Sequence, residues 1–292
     1  MNSNFLHTYF LFIKNKCTEY NFANSKFGIA RTLLAFGTIF SILPIHPDLL
    51  FNPTNILNPN YELLSLHKIS IFYILRNNLI IAKWVSIFIL LVVASGYRPK
   101  YTSLFHWYIS FSFCASSFVI EGGDQITQNL TLLLIPFFIF DNRKNHWLNE
   151  PNKFQTNSWT LIIYFIIRLQ ACFVYLQASI GKLKVDEWRD GTALYYWLNN
   201  NFVGSPIIIR PIVNYLTTSP KLLTISTWSS IIIEFLLFMC ISSFKKQRKY
   251  FLIIGFIFHA FIFIFFGLFS FMLAMFALLI IYLGNFKSSN NA

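Results

Sequence analysis

A chain of 292 residues that is 55% hydrophobic and 19% aromatic, with 35 Phe and only 12% charged residues, has about half the roughly 25% charge of an ordinary soluble domain. Its mean hydropathy of +0.55 implies more apolar surface than one globule of this size can hide, so lipid is the expected solvent and intrinsic disorder is excluded. The net charge of +12 is gathered between apolar runs, as in loops lying on anionic cytoplasmic lipid, and no basic stripe or motif accompanies it that would suggest nucleic acid.

Eight spans are predicted in chain order. The first, 27–43, follows Lys14, Lys16 and Lys26 and stops at Pro44. Its long polar approach, with no small-x-small site before Pro44 and Pro47, separates it from a cleaved signal peptide. Residues 45–78, with Asn52, Pro53, Asn55, Asn58, Pro59 and Asn60, read as a long loop carrying one short interfacial helix near 63–75. The second span, 79–94, ends before Gly96, and the basic turn Arg98-Pro99-Lys100 opens the third, 101–120. The acidic turn Glu121-Gly122-Gly123-Asp124 precedes the fourth, 125–140. Polar residues 141–158, including Arg143, Lys144 and Lys153, lead to the fifth, 159–181. Residues 182–221 are the least hydrophobic stretch, punctuated by Gly204, Pro206, Pro211 and Pro220, and read as an extramembrane or re-entrant segment. The sixth span, 222–242, is followed by Lys245, Lys246, Gln247, Arg248 and Lys249. The apolar run 250–284 would be about 52 Å long as one helix, too long for a hydrocarbon core of about 30 Å. It is therefore split near Gly267 into spans 250–266 and 268–284.

This arrangement puts thirteen of the 23 cations on the side of both termini and seven on the other, while Arg31, Lys83 and Arg168 fall within spans. The expected fold is an all-α, polytopic integral membrane bundle in one domain, 1–292, with both termini cytoplasmic and 182–221 outside. No internal repeat at a period of 20–50 residues suggests another architecture. Cys17, Cys114, Cys172 and Cys240 are scattered, three of them inside apolar runs, and read as small core residues.

A charge inside a span costs roughly 2.5–3.5 kcal/mol at the bilayer centre, so each needs a partner or a wet cavity. The candidates are Arg168, Glu234, His259, His106 and Lys83. Lys83 and His106 lie near span ends or beside aromatics, where snorkelling or one backbone bond accounts for them. Tyr164, Arg168, Ala171, Tyr175, Ser179 and Lys182 recur at helical offsets and share one face, polar from mid-membrane to the outer surface. Gln170 and Gln177, on a neighbouring face, add hydrogen-bonding capacity, so this helix is expected to look into the bundle and away from lipid. A structural reading pairs Arg168 with Glu234 across spans five and six. Lys182, at the outer mouth, has no obligation to pair, and an amine there, beside apolar walls and another cation, has its charged form disfavoured and suits a base. His259 reads as a core histidine, or with Glu234 as a proton relay. Motifs of soluble enzymes (G-x-S-x-G, H-E-x-x-H, C-x-x-C, the P-loop, G-x-G-x-x-G) are missing from the sequence, and no metal site is predicted.

Arg168-Leu169-Gln170, Tyr175, Ala178, Gly181-Lys182-Leu183, Trp188, Gly191, Ala193 and Tyr196, together with Gly28-x-x-Arg31 and His259 followed by Gly267-Leu268-Phe269-Ser270, resemble the signature of the HTTM superfamily. That superfamily is the membrane domain shared by vitamin K-dependent gamma-carboxylase and bacterial relatives. The resemblance implies a lysine base at Lys182 acting on a lipid quinone; the polar residues within the spans add Arg168, Glu234 and His259 as catalytic candidates, and Tyr164, Tyr175 and Trp188 are the expected lining for such a cofactor. Gly181 stands where the carboxylase has a second lysine, and the chain lacks room for the domain that binds its protein substrate. Among bacterial relatives, Glu121-Gly122-Gly123-Asp124-Gln125, Phe140-Asp141-Asn142-Arg143 and His146-Trp147 resemble the SdpB family of sporulation-delaying-type antimicrobial peptide systems. This implies a factor in a bacterial cell membrane that matures or exports a secreted precursor peptide, with a small accessory protein and membrane lipid as partners. The alternatives are a quinone-coupled carboxylase- or epoxidase-like enzyme, and a small-solute transporter, against which the absence of repeat symmetry stands.

Overall fold

The computed structural model describes residues 17, 19–22, 24–51, 65–148, 150, 156–201 and 203–286. Within them, eight helices of fifteen or more residues carry the fold: α1 (Ser25–Ile42), α2 (Leu79–Ala94), α3 (Pro99–Ser116), α4 (Gly122–Ile139), α5 (Ser158–Leu183), α6 (Pro220–Met239), α7 (Lys245–Phe266) and α8 (Phe269–Leu283). Each coincides with one predicted span. Four segments are long and apolar enough to cross a membrane: Arg76–Ala94, Ser158–Leu183, Pro220–Ser242 and Lys246–Phe266, while Phe269–Leu283 is apolar but shorter. The described elements are helical, with β-type pairing confined to isolated bridge residues, among them the antiparallel bridge between Tyr97 and Asn145.

Local chemistry sets the ends. The Asn24 side chain accepts the Lys26 N–H at 3.0 Å to open α1. Asn157 and Thr160 bond reciprocally at the start of α5, 2.9 Å and 3.1 Å, satisfying donors that a helix N-terminus leaves orphaned. Gly267, at φ +72°, adopts the left-handed conformation that only glycine enters without strain and donates its N–H to Phe263 O at 2.7 Å. It divides the long apolar run where expected. α7 begins five residues before its predicted start, because the basic cluster consists of good helix formers that continue the helix beyond the apolar run. The predicted interfacial helix breaks into a 3-10 turn Ser65–Ile69 and a short helix Ile71–Ile74 at the Ser70 cap. The Asn- and Pro-rich residues 52–60 and Lys14, Lys16 and Lys153 lie outside the described residues.

α8 is apolar on every side and buried along its length, from Leu273 to Leu283, so it forms the axis of the bundle. It packs against α1, α4, α5 and α7. A second apolar core joins the later half of α1 to α2 and α3 around Leu50, Phe51 and Phe72. α5 lies against α6, and this pair carries Arg168, Lys182 and Glu234. The 182–221 stretch contains short helices Asp186–Arg189, Ala193–Leu198 and Arg210–Thr218 that sit over one end of α5 and α6.

Candidate functional site

The predicted polar face of α5 turns inward: Tyr164, Arg168, Ala171, Tyr175 and Ser179 are all buried. It does not form one site. Arg168 and Lys182 are fourteen residues apart, about 21 Å along the axis at 1.5 Å per residue, and they meet different partners.

Arg168 does not pair with Glu234. Its Nε donates to Tyr282 O at 3.2 Å and its Nη2 to Ile241 O at 3.4 Å, while the guanidinium faces the rings of Tyr164 and Tyr282. Those two carbonyls belong to the last turns of α8 and of the segment that closes α6, where unbonded C=O groups concentrate partial negative charge. Two helix C-termini thus serve where a carboxylate was expected.

Glu234 belongs to Lys182. The ammonium lies 2.6 Å from both carboxylate oxygens, and its Nζ sits 5.1 Å from the centre of the Trp188 ring. The lysine side chain is 21% exposed and the glutamate 9%, so the clasp is shut toward the bundle and partly open at its outer edge. The expectation of an unpaired amine fails because α5 and α6 are packed in the register that brings Glu234 beneath the last turn of α5.

His259 faces Tyr175, with Nε2 3.0 Å from the phenolic oxygen. It is enclosed by Phe258 and Phe271, and its Nδ1 has no hydrogen-bond partner among the described residues. The two ends of the expected relay meet different partners, His259 with Tyr175 and Glu234 with Lys182. Tyr164 is sealed by Tyr20, Phe22 and Phe286, Tyr175 is 1% exposed, and Trp188 is half-buried at the mouth. Lys83 donates to Leu43 O and Ile45 O, both at 2.8 Å, and so closes the end of α1, in keeping with a backbone role.

Gln170 and Gln177 depart from expectation. At 100° per residue they lie roughly opposite Arg168. Gln177 is exposed, and Gln170 is half-buried with an unpartnered Oε1.

A second polar cluster went unrecognised as a unit. Asp141 and Arg143, both buried, form a bidentate pair at 2.8 Å and 2.7 Å, and Arg143 also donates to His146 O and Leu148 O at 3.1 Å. Buried Arg31 donates to Thr102 Oγ1 at 2.6 Å and approaches His146 Nδ1 at 3.4 Å. Gly28 and Gly96 make room for the imidazole: an added Cβ would stand 2.9 Å and 2.7 Å from His146 Cδ2. Burial, then Arg31 and Arg143, push the His146 pKa down to about 3, so the ring is neutral near pH 7. The usable sequence signal was the Asp-x-Arg spacing beside a glycine-opened helix.

At the end of the bundle where α1 finishes and α4 begins, the acidic turn starts α4. Asp124 accepts the Glu121 N–H at 3.0 Å and the Ser41 hydroxyl at 2.8 Å, and Glu121 accepts Ser270 at 3.2 Å. Burial, then Asp124, raise the Glu121 pKa. A cavity of about 330 Å³ adjoins the turn. A Cβ on Gly123 would meet Phe271 Cα at 2.7 Å, so this glycine lets α4 and α8 cross closely.

No family model matches the chain, so the HTTM resemblance rests on the quoted motifs alone, and no solved structure matches it. Two proteins of Bacillus subtilis (strain 168) are similar over most of their lengths. Sporulation-delaying protein SdpB is 33% identical over 269 residues, covering 90% of this chain and 82% of SdpB. Uncharacterized protein YitO is 33% identical over 280 residues, covering 93% of this chain and 90% of YitO.

Proposed function

We propose that this protein, which belongs to the family of the sporulation-delaying protein SdpB, works as a multi-pass membrane factor of an antimicrobial-peptide production system. Its task in this reading is the maturation or export of a secreted precursor peptide. α1 to α8 cross a bacterial cell membrane with both termini cytoplasmic, and the short helices after α5 lie outside. The cation bias and the four long apolar segments support this placement. Membrane lipid, the precursor and a small accessory protein are the partners; nucleic acid is not.

The observation that carries the reading is the Lys182–Glu234 clasp under Trp188, at the point where α5 gives way to the outward segment. A clasp with one open edge can exchange partners. The ammonium can take a peptide carboxylate or backbone carbonyl, the freed Glu234 carboxylate an amine, and Trp188 supplies an apolar face. The test is the active peptide in the medium for wild type, Lys182→Arg and Lys182→Ala, each normalised to protein level in the membrane. The reading predicts that arginine, which keeps the charge and the carboxylate partner, retains much of the output, and that alanine loses it. Equal output from wild type and alanine would overturn it.

The second reading is a carboxylase- or epoxidase-like enzyme coupled to a lipid quinone. The contact between Lys182 and Trp188 favours it, since a ring-bearing ligand reaching the half-buried mouth would meet an amine there. Tyr164 and Tyr175 fit that ligand less well, being closed off about 16 Å apart along α5. Lys182 as base and Arg168, Glu234 and His259 as catalytic residues require that Lys182→Arg abolish function as fully as alanine, because a guanidinium does not give up its proton.

A further inference from the structure

We propose that α5 pairs, glutamine to glutamine, with α5 of a second copy of this chain. The inference rests on α5 crossing the membrane and is independent of the peptide reading. α5 has 26 residues, about 39 Å, so a 30 Å hydrocarbon core centred on it includes both Gln170, at its midpoint, and Gln177, about 10 Å further along. Gln177 is exposed on the side of the helix away from the bundle, whereas Gln170, seven residues earlier, is half-buried with its Oε1 enclosed by the chain. Around Gln177 that side forms an apolar stripe, with Phe173 58% and Ile180 44% exposed.

An amide carries two N–H donors and a carbonyl acceptor. Hydrocarbon can satisfy none of them, and a polar group left bare there is costly. Gln177 is exposed on this face and has no hydrogen-bonding neighbour among the described residues. The stripe is also indented. A shallow, open hollow lies among Phe173, Leu176, Gln177, Ile180 and Gly181 of α5 and its C-cap Lys184, and an added Cβ at Gly181 would meet nothing within 4 Å. Polar side chains and a small residue about an open hollow are the features of membrane helix contacts.

The chemistry selects the occupant. Copies of one chain insert with the same sidedness, so their α5 helices meet parallel and in register about an axis along the membrane normal. In such a two-fold contact each residue faces itself or its reciprocal partner, and an amide, both donor and acceptor, complements itself. At the outer end the exposed Lys184 continues this stripe.

The test uses the full chain in native membranes, with the four native cysteines replaced by serine and single cysteines introduced. Oxidation is expected to give a covalent species of twice the chain's mass for Gln177→Cys and Phe173→Cys, and not for Ile257→Cys, which is 52% exposed on α7. In liposomes, Gln177→Leu on the unmodified chain is expected to weaken self-association by about 3- to 20-fold, the range set by measured interhelical hydrogen bonds, with Gln177→Asn closer to wild type. Any of three results would overturn the proposal: no dimer at position 177, equal cross-linking at position 257, or capture by 177 of a species of a different mass. Self-association unchanged in Gln177→Leu would do so as well.

Discussion

Lys182→Met leaves Glu234, 9% exposed, as a carboxylate beneath the last turn of α5 with its cation gone. Charges about 3 Å apart attract by on the order of 5 kcal/mol at an effective dielectric of about 20. Desolvation and the open edge of the lysine offset part of this, so the coupling between the two side chains should be about 2–3 kcal/mol. The single loss should cost about 3 kcal/mol, the lower end for a broken buried pair. For a chain of this size that is a fall of about 6–12 °C in the unfolding midpoint, measured in detergent micelles. Glu234→Met should cost a similar amount by stranding the ammonium. The double variant should cost about 3–4 kcal/mol, less than the sum of the single losses by the coupling, because two apolar side chains of similar volume need no partner. The cycle of four proteins isolates the interaction. If the two single losses simply add, to within about 0.5 kcal/mol, the contact at 2.6 Å contributes nothing to holding α5 on α6 and the reasoning fails.

Two further predictions concern the second polar cluster. His146 has a folded-state pKa of about 3 against about 6.5 when unfolded, so above pH 6.5 neither state binds the proton and its contribution to stability is intact. Between 6.5 and 3 only the unfolded state is protonated, and stability falls, by about 2 kcal/mol from pH 7 to pH 5. The pH dependence of unfolding should lose about one proton's slope in His146→Asn, and an unchanged slope would remove His146 as its source. Arg143→Met strands buried Asp141 and releases the His146 and Leu148 carbonyls, for a loss of about 3–5 kcal/mol. Arg189→Met, at an exposed pair with Asp186, should cost less than about 1 kcal/mol. Membrane levels of the two variants compare them directly, and similar levels would contradict the contrast.

What the sequence showed and what it hid divides along physical lines. Hydrophobic runs and their interruptions are local, so the eight helices, the split at Gly267 and the inward stripe of α5 could be read from spacing. The partner of Glu234 could not, because it depends on how far α6 is shifted along α5, and that register is fixed by packing over the whole interface. For Arg168 the sequence suggests a carboxylate, because carbonyls at helix ends have no signature in sequence. Composition suggests that Gln170 and Gln177 add to the polar face, whereas 100° per residue puts them across the helix from Arg168. Asp141, Arg143 and His146 were visible as a motif, but Arg31, more than a hundred residues earlier, joins them only through the fold.

The central claim is that the Lys182–Glu234 clasp works at the outer face on a secreted peptide, and it is tested most directly by sidedness. With the native cysteines replaced, Asp190→Cys, beside the clasp, and Lys246→Cys, at the opposite end of the bundle, are exposed to a membrane-impermeant thiol reagent on intact cells. Labelling of Asp190→Cys alone, with Lys246→Cys reacting only after the cells are opened, is the predicted result. Labelling of Lys246→Cys alone would put the clasp in the cytoplasm, where no secreted precursor could meet it.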